Sequence, residues 1–358
     1  MAVLPQRAQD PAVRELGRLR AAAAAGNTDP EPAARLIRAY FDLSLARGDP
    51  RYIGYAEAVL ARFKAPLAPI LRVERGLLRQ YRHDFTGALD DFAGALALAP
   101  GLAEAHAWRA AIFLVQANYP GAEMECAALA RLGRDSLADG CMGLSMAYGG
   151  KLDSAARHLQ KALAATADPG NRAWLLTRLG EVAAWRGHPA VAERHFRDAL
   201  RLGRDDVYLL AAWGDYLLDV GRHDDLLEAL AGWDASDSLL LRLAEAEARL
   251  GRAAASRRIQ VLEDRFAAAR ARGDETHMAE EARFRLRLRG DAKWALALAV
   301  ANYRVQREPR DARILLEAAI AAGDVAAAQP VRDWLQSSGF EDALLRRLGE
   351  ESALVIRR

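Results

Sequence analysis

Seven histidines, two cysteines and a scatter of serines are the side chains of this chain that could carry bond-making chemistry. His83, His106, His158, His188, His195, His223 and His277 form no His-Glu-x-x-His or His-x-x-Glu-His set, the spacing that would gather two imidazoles on one helix face around zinc. No Gly-x-x-x-x-Gly-Lys-Ser or Gly-x-Gly-x-x-Gly occurs to cradle a phosphate. Ser145, in Gly143-Leu144-Ser145-Met146, lacks the second glycine of a nucleophile elbow and reads as a small residue in a packed helix. The expectation is therefore no catalytic residue, no metal, no cofactor and no small-molecule substrate. Cys126 and Cys141 are too far apart for Cys-x-x-Cys, and two thiols do not make a zinc site.

What remains is a scaffold, and its composition says which kind. The chain has 358 residues, 52% hydrophobic and 27% charged, enough for a core and too apolar for disorder. A formal net charge of +2 implies no global attraction to nucleic acid or anionic lipid. Nearly all basic residues are arginine, the lysines being Lys64, Lys151, Lys161 and Lys293. The apolar stretch from Trp294 to Tyr303 is short and flanked by Lys293 and Arg304, so no membrane span is expected. The N-terminus lacks a basic segment followed by an apolar one. As it stands the chain reads as soluble and cytoplasmic; a mature periplasmic protein with an added Met would read the same.

Apolar residues recur at helical spacing throughout. Val13, Leu16 and Leu19 begin a first helix that should stop at Gly26-Asn27. Leu36, Ile37, Tyr40, Phe41 and Leu45 give a second, and Tyr55, Ala56, Val59, Leu60 and Phe63 its partner. From Pro69 one unit repeats. The small residues Gly76, Ala110, Gly143, Gly180 and Gly214 follow one another at a spacing close to 34 residues, and Ala88, Ala122, Ala155, Ala192 and Leu226 each lie twelve later. Four further on come Phe92, Cys126, Leu159, Phe196 and Leu230. Turns are expected at Arg82-His83-Asp84, Gly149-Gly150, Gly187-His188-Pro189 and Gly221-Arg222, and a long helix should reach about Arg272. Phe284 to Arg289 alternates like a strand, but its register with the other first helices makes it a helix.

These residues resemble the tetratricopeptide repeat family, most specifically over Pro69–Leu102, with Gly76, Ala88, Phe92, Ala95 and Pro100, and over Ala173–Asp206, with Gly180, Ala192, Phe196 and Ala199. The resemblance implies an all-α, right-handed solenoid of stacked helix-turn-helix units, without enzymatic activity, that binds a peptide or protein in a groove lined by first helices. The expected segments are an N-terminal cap and divergent hairpin (1–66), well-formed repeats (67–235), divergent repeats (236–338) and a C-terminal cap from Phe340 (339–358).

The register then points particular residues into that groove. They are Tyr148, Trp174, Thr177, Glu181, Trp185, Tyr208, Asp215, Asp219 and Glu245, with Val73, Leu77, Tyr81 and Leu144 before them and Glu280, Phe284, Arg313 and Glu317 after. Glu181, Asp215, Glu245 and Glu317 would draw an acidic line suited to a partner with basic and apolar side chains, or merely solvate surface helices. The Lys and Asn of the family's carboxylate clamp are absent. Cys126 takes the slot of Phe92 and Phe196, and Cys141 lies on the next first helix; the two are either small core residues or, in an oxidising compartment, a disulfide. Arginine is dense from Arg249 to Arg313, which gives the alternative of nucleic-acid binding by the C-terminal third, although interleaved acids offset much of the charge.

Overall fold

The structure is a computed structural model and describes residues 11–25 and 29–356. The expected stop at Gly26-Asn27 lies outside the described residues. Every regular element among those described is helical. A first helix α1 (Pro11–Ala25) is followed by hairpins α2 (Pro30–Arg47) with α3 (Arg51–Leu60), α4 (Pro69–Tyr81) with α5 (Phe85–Leu98), and α6 (Ala103–Val115) with α7 (Tyr119–Arg131). Next come α8 (Asp135–Tyr148) with α9 (Leu152–Ala164), α10 (Pro169–Trp185) with α11 (Pro189–Leu200), and α12 (Val207–Asp219) with α13 (His223–Ala229). The series ends with α14 (Asp237–Arg249) and α15 (Ala254–Ala271), α16 (Met278–Arg287) and α17 (Ala292–Val305), α18 (Pro309–Ala322) and α19 (Gln329–Ser338), and α20 (Ala343–Ile356). The chain forms two compact units, Met1–Trp108 and Arg109–Arg358, which part inside α6.

The repeat works by close approach. A Cβ on Gly76 would fall 2.6 Å from Cε1 of Phe92, and one on Gly180 would fall 2.8 Å from Cε1 of Phe196. At Gly143 the same atom would meet Leu159 Cγ at 2.8 Å. Each second helix thus seats its bulky residue against the bare backbone of the first, and Phe92, Phe196 and Leu159 are fully buried. The turns share one conformation as well. His83, Ala117, Gly150, Gly187 and Gly221 all lie in the left-handed region, at φ 60°, 58°, 84°, 72° and 74°. Glycine takes that conformation without strain; at His83 and Ala117 it costs about 1 kcal/mol.

The expected helix over Phe284–Arg289 is present but ends at Arg287, and α15 is the long helix foreseen. The C-terminal helix starts at Ala343, not Phe340, and Arg346, Arg347 and Glu350 on it are exposed.

Cys126 on α7 and Cys141 on α8 are joined as a disulfide, with both side chains buried. A bridge spanning 15 residues restricts the unfolded chain by roughly 3 kcal/mol in the loop-entropy picture. Denaturing the protein without reductant should expose no reactive thiol, and reduction should lower stability by about that amount. Two titratable thiols before reduction would contradict the bridge.

Candidate functional site

In the Arg109–Arg358 unit the first helices α12, α14, α16 and α18 turn their polar residues toward one another. Asp215 on α12 receives Arg242 Nη2 at 2.6 Å and Arg283 Nη1 at 2.6 Å. Arg283 also grips Glu245 of α14 through Nε and Nη2, at 2.6 and 2.8 Å. Arg287 continues from Glu245, at 3.2 Å, to Glu317 of α18, at 2.7 Å. Arg313 bonds Glu317 at 2.8 Å and returns to Asp219 of α12 with two bonds of 2.8 Å. Acids and arginines thus alternate along a chain of ion pairs whose two ends, Asp215 and Asp219, stand one turn apart on α12.

Such a chain of pairs is stable only because each charge has its opposite in geometry that repays desolvation. Burial alone would raise the carboxyl of Asp215, but Arg242 and Arg283 more than reverse this and hold it well below the ordinary range. Glu245 is held low against the same burial by Arg283 and Arg287, and Glu317 by Arg287 and Arg313. The acids expected to form a line are therefore neutralised by arginines of the same chain. Glu181 behaves alike: it accepts from Arg178 at 2.9 Å and from the Tyr208 hydroxyl at 2.7 Å.

Other expected groove residues are likewise engaged. Tyr148 is buried and its hydroxyl donates to Glu308 at 3.1 Å, while burial pushes its phenol well above the usual value. Glu308 in turn receives Arg310 at 2.6 Å and begins α18 as one half of a capping box with Asp311. The guanidinium of Arg178 lies 4.2 Å above the Tyr208 ring. Thr177 is buried and donates to Ala173 O within its own helix. Trp185 packs on Phe340, with ring centroids 5.3 Å apart, and Phe340 on Trp334 at 5.0 Å. Trp174 presses on Gly140, where a Cβ would fall 2.7 Å from its ring. Of the expected set Asp219 is exposed, and Trp174, Glu181, Trp185, Tyr208 and Asp215 are half-buried.

One placement differs from the sequence reading by a single step of register. Phe284 was expected on the inner face and instead is fully buried against Phe266 of α15, at 5.4 Å; Arg283 and Arg287 take the inner position. A helix advances 100° per residue, so one step of register exchanges a core aromatic for a charged residue. The signal for the chain of ion pairs was nonetheless present. Asp215 and Asp219, Arg283 and Arg287, and Arg313 and Glu317 are all pairs four residues apart, which places both members on one face.

The arginine-dense stretch is mostly consumed by pairing across helices. Arg258 bonds Asp234 and Glu247, Arg265 bonds Asp237, and Arg270 bonds Glu281. Arg252 bonds Asp224, and Arg289 reaches Glu263 at 3.3 Å. Arg285 is buried between Glu263 and Glu281 and lies 3.7 Å from the Trp294 ring centroid. These pairs run mainly between helices and not along them. Among the described residues no group of three or more His, Cys, Asp or Glu is arranged to hold a metal ion, and no helix is long and apolar enough to cross a membrane.

In the Met1–Trp108 unit, Val73 and Leu77 are buried in the core and do not face an opening. Glu74 is buried beside Arg38, whose Nη2 donates to it at 2.9 Å, and Arg38 also bonds Glu104. One oxygen of Glu74 is buried without a partner. Burial raises the Glu74 carboxyl to about 7, against the pull of Arg38. Between an unfolded value of about 4.3 and this folded value the native state holds more protons, so this group makes stability fall as pH rises. Glu74→Gln should raise the stability of this unit by roughly 1 to 3 kcal/mol at pH 8 and change it little at pH 5. Urea unfolding at the two pH values reads the difference, and equal effects at both would show that Glu74 is ionised throughout.

No protein-family model matches the sequence, and no curated protein matches it. Solved structures are similar in fold. One from a functional characterisation of Pseudomonas aeruginosa PilF is 20% identical, covering 56% of this chain and 92% of that one at a TM-score of 0.43. The human IFIT1 dimer with PPP-AAAA is 14% identical over 99% of this chain and 89% of that one, at 0.49. The TPR domain of P58(IPK) is 15% identical over 90% and 98%, at 0.26. Its own geometry, with glycines seated on aromatics sixteen residues later and a left-handed turn in each hairpin, makes this chain an all-α protein of repeated helix-turn-helix units.

Proposed function

We propose that the protein is a non-enzymatic interaction scaffold whose helical repeats hold a segment of another protein. The supporting observation is the inner face of the Arg109–Arg358 unit, where the chain of ion pairs through Asp215, Glu245, Glu317 and Asp219 fixes its side chains before any partner arrives. A surface already ordered loses little conformational entropy on binding. Because its acids are paired internally, a basic segment gains only by displacing arginines, so a partner need not be basic. The proposed contact lies at the residues that still reach solvent, Trp174, Glu181, Tyr208 and Asp219, of which Arg178 holds Glu181 and Tyr208 and Arg313 holds Asp219, while Tyr148, Thr177 and Glu245 are buried.

Cross-linking followed by affinity capture from the native source tests this reading. The expected result is a protein partner in stoichiometric yield with cross-links to α10 or α12. Capture of nucleic acid alone, released by moderate salt, would overturn it in favour of the arginine-rich alternative.

A further inference from the structure

Helix α8 is built from residues that favour a helix weakly. Its middle runs Asp139-Gly140-Cys141-Met142-Gly143-Leu144-Ser145, and five of these seven are poor helix formers. The matching stretch of α14 is Leu240-Leu241-Arg242-Leu243-Ala244-Glu245-Ala246. Helix α8 cannot exchange its two glycines for alanine, because both are seats for a neighbour. A Cβ on Gly140 would fall 2.7 Å from the Trp174 ring of α10, and one on Gly143 would fall 2.8 Å from Leu159 of α9. Keeping glycine for close approach keeps a flexible backbone as well.

The two halves of α8 are held differently. Leu144, Ala147 and Tyr148 bury the second half in the core, whereas the buried apolar side chains of Asp135–Cys141 are Ala138 and Cys141 alone. Asp139 meets Lys161 Nζ at 2.9 Å and His158 Nδ1 at 3.0 Å, but Lys161 is exposed and His158 partly so. Such a tie is weak. Toward α7, the Ser145 hydroxyl donates to Glu123 at a long 3.3 Å. The firm tie of the first half is therefore the Cys126–Cys141 bridge. These are the only two cysteines of the chain, so reduction changes this one bond and no other.

We propose that the bridge is a redox latch on the first half of α8, and that only the oxidised chain holds Trp174 in its place on the contact face. Reduction by a dithiol breaks the Sγ–Sγ bond; each sulfur takes a proton, and the two electrons come from the dithiol, which closes to a disulfide. A disulfide acceptor reverses the step. Without the bridge the loop between the cysteines regains its freedom, Asp135–Cys141 frays, and the bare backbone of Gly140 no longer backs the Trp174 ring. Both cysteines are buried, so the reductant reaches them through the same fraying. The proposal rests on the interaction reading above for the role of Trp174.

The test is amide hydrogen exchange of the full chain, read by mass spectrometry before and after complete reduction with dithiothreitol. Exchange across Asp135–Cys141 should become at least about tenfold faster, while α14 and α16 keep their rates. The double variant Cys126→Ala, Cys141→Ala should show the same pattern without reductant. Tryptophan emission should shift on reduction in the parent protein and not in Trp174→Phe. Unchanged exchange in α8 overturns the proposal, and so does equal quickening in every helix, which would make the bridge a brace for the whole unit. An emission shift that survives Trp174→Phe also overturns it, since the latch would then not act on the contact face. All these readouts are taken without a partner, so their failure leaves the interaction reading to stand or fall on capture by the oxidised chain.

Discussion

Arg283→Leu lowers the stability of the Arg109–Arg358 unit by about 3 kcal/mol, because it leaves Asp215 and Glu245 facing each other without the cation between them. Removing one member of a buried ion set is far more costly than replacing the whole set by apolar residues. The quadruple change of Asp215, Glu245, Arg242 and Arg283 to residues of similar volume should therefore cost less than the single one. Arg283→Lys should restore only part of the loss, since an ammonium cannot reproduce the fork that spans Glu245 and Asp215. Acid unfolding gives a separate readout. Folding holds Asp215, Glu245 and Glu317 below their unfolded values of about 4, so the unfolded chain binds more protons there and stability falls as pH drops through that window. In Arg283→Leu the acid limb should be shallower. Denaturant midpoints at pH 7 and pH 3 measure both effects, and a loss equal at the two pH values would show that Arg283 acts by packing alone.

Phe196→Ala should be at least as damaging, at about 3 to 5 kcal/mol. The ring is fully buried, packs 5.8 Å from the rings of both Trp213 and Tyr216, and fills the hollow that Gly180 leaves. Gly180→Ala is the informative companion. In an exposed helix interior that change stabilises by up to about 1 kcal/mol. Here the new methyl would sit 2.8 Å from the ring, so the sign should reverse to a loss of roughly 1 to 2 kcal/mol. Combining Gly180→Ala with Phe196→Leu should cost less than the two separate losses together, since the smaller side chain makes room for the methyl. Urea titration of the four proteins completes the cycle, and strict additivity would mean that the two positions do not touch.

The sequence was most informative where one residue type has one reason. Glycine opposite an aromatic, sixteen residues apart, needs no alignment to interpret, and the turns at Arg82-His83-Asp84 and Gly187-His188-Pro189 fall where expected. The inner face was half legible. The positions of Asp215, Glu245 and Glu317 on first helices could be read from the register, and so could the four-residue pairs around them. The partners of those acids could not, because Arg283 lies 68 residues from Asp215 and Arg313 lies 94 from Asp219. No local pattern records which distant helix will curl back to meet another. Phe284 shows the finer limit, since a one-residue error in register turns a core aromatic into a supposed surface contact.

The sequence by itself determined the helical repeat, its spacing and its small-against-large core, because those depend on contacts within one hairpin and its neighbour. Only the tertiary structure decided that the acids of Glu181, Asp215, Glu245 and Glu317 are already answered by the chain's own arginines, and that Cys126 and Cys141 meet. The physical reason is that charge pairing is set by distance in space, and the curvature that brings α12, α14, α16 and α18 together accumulates from many small packing angles that no single stretch of sequence contains.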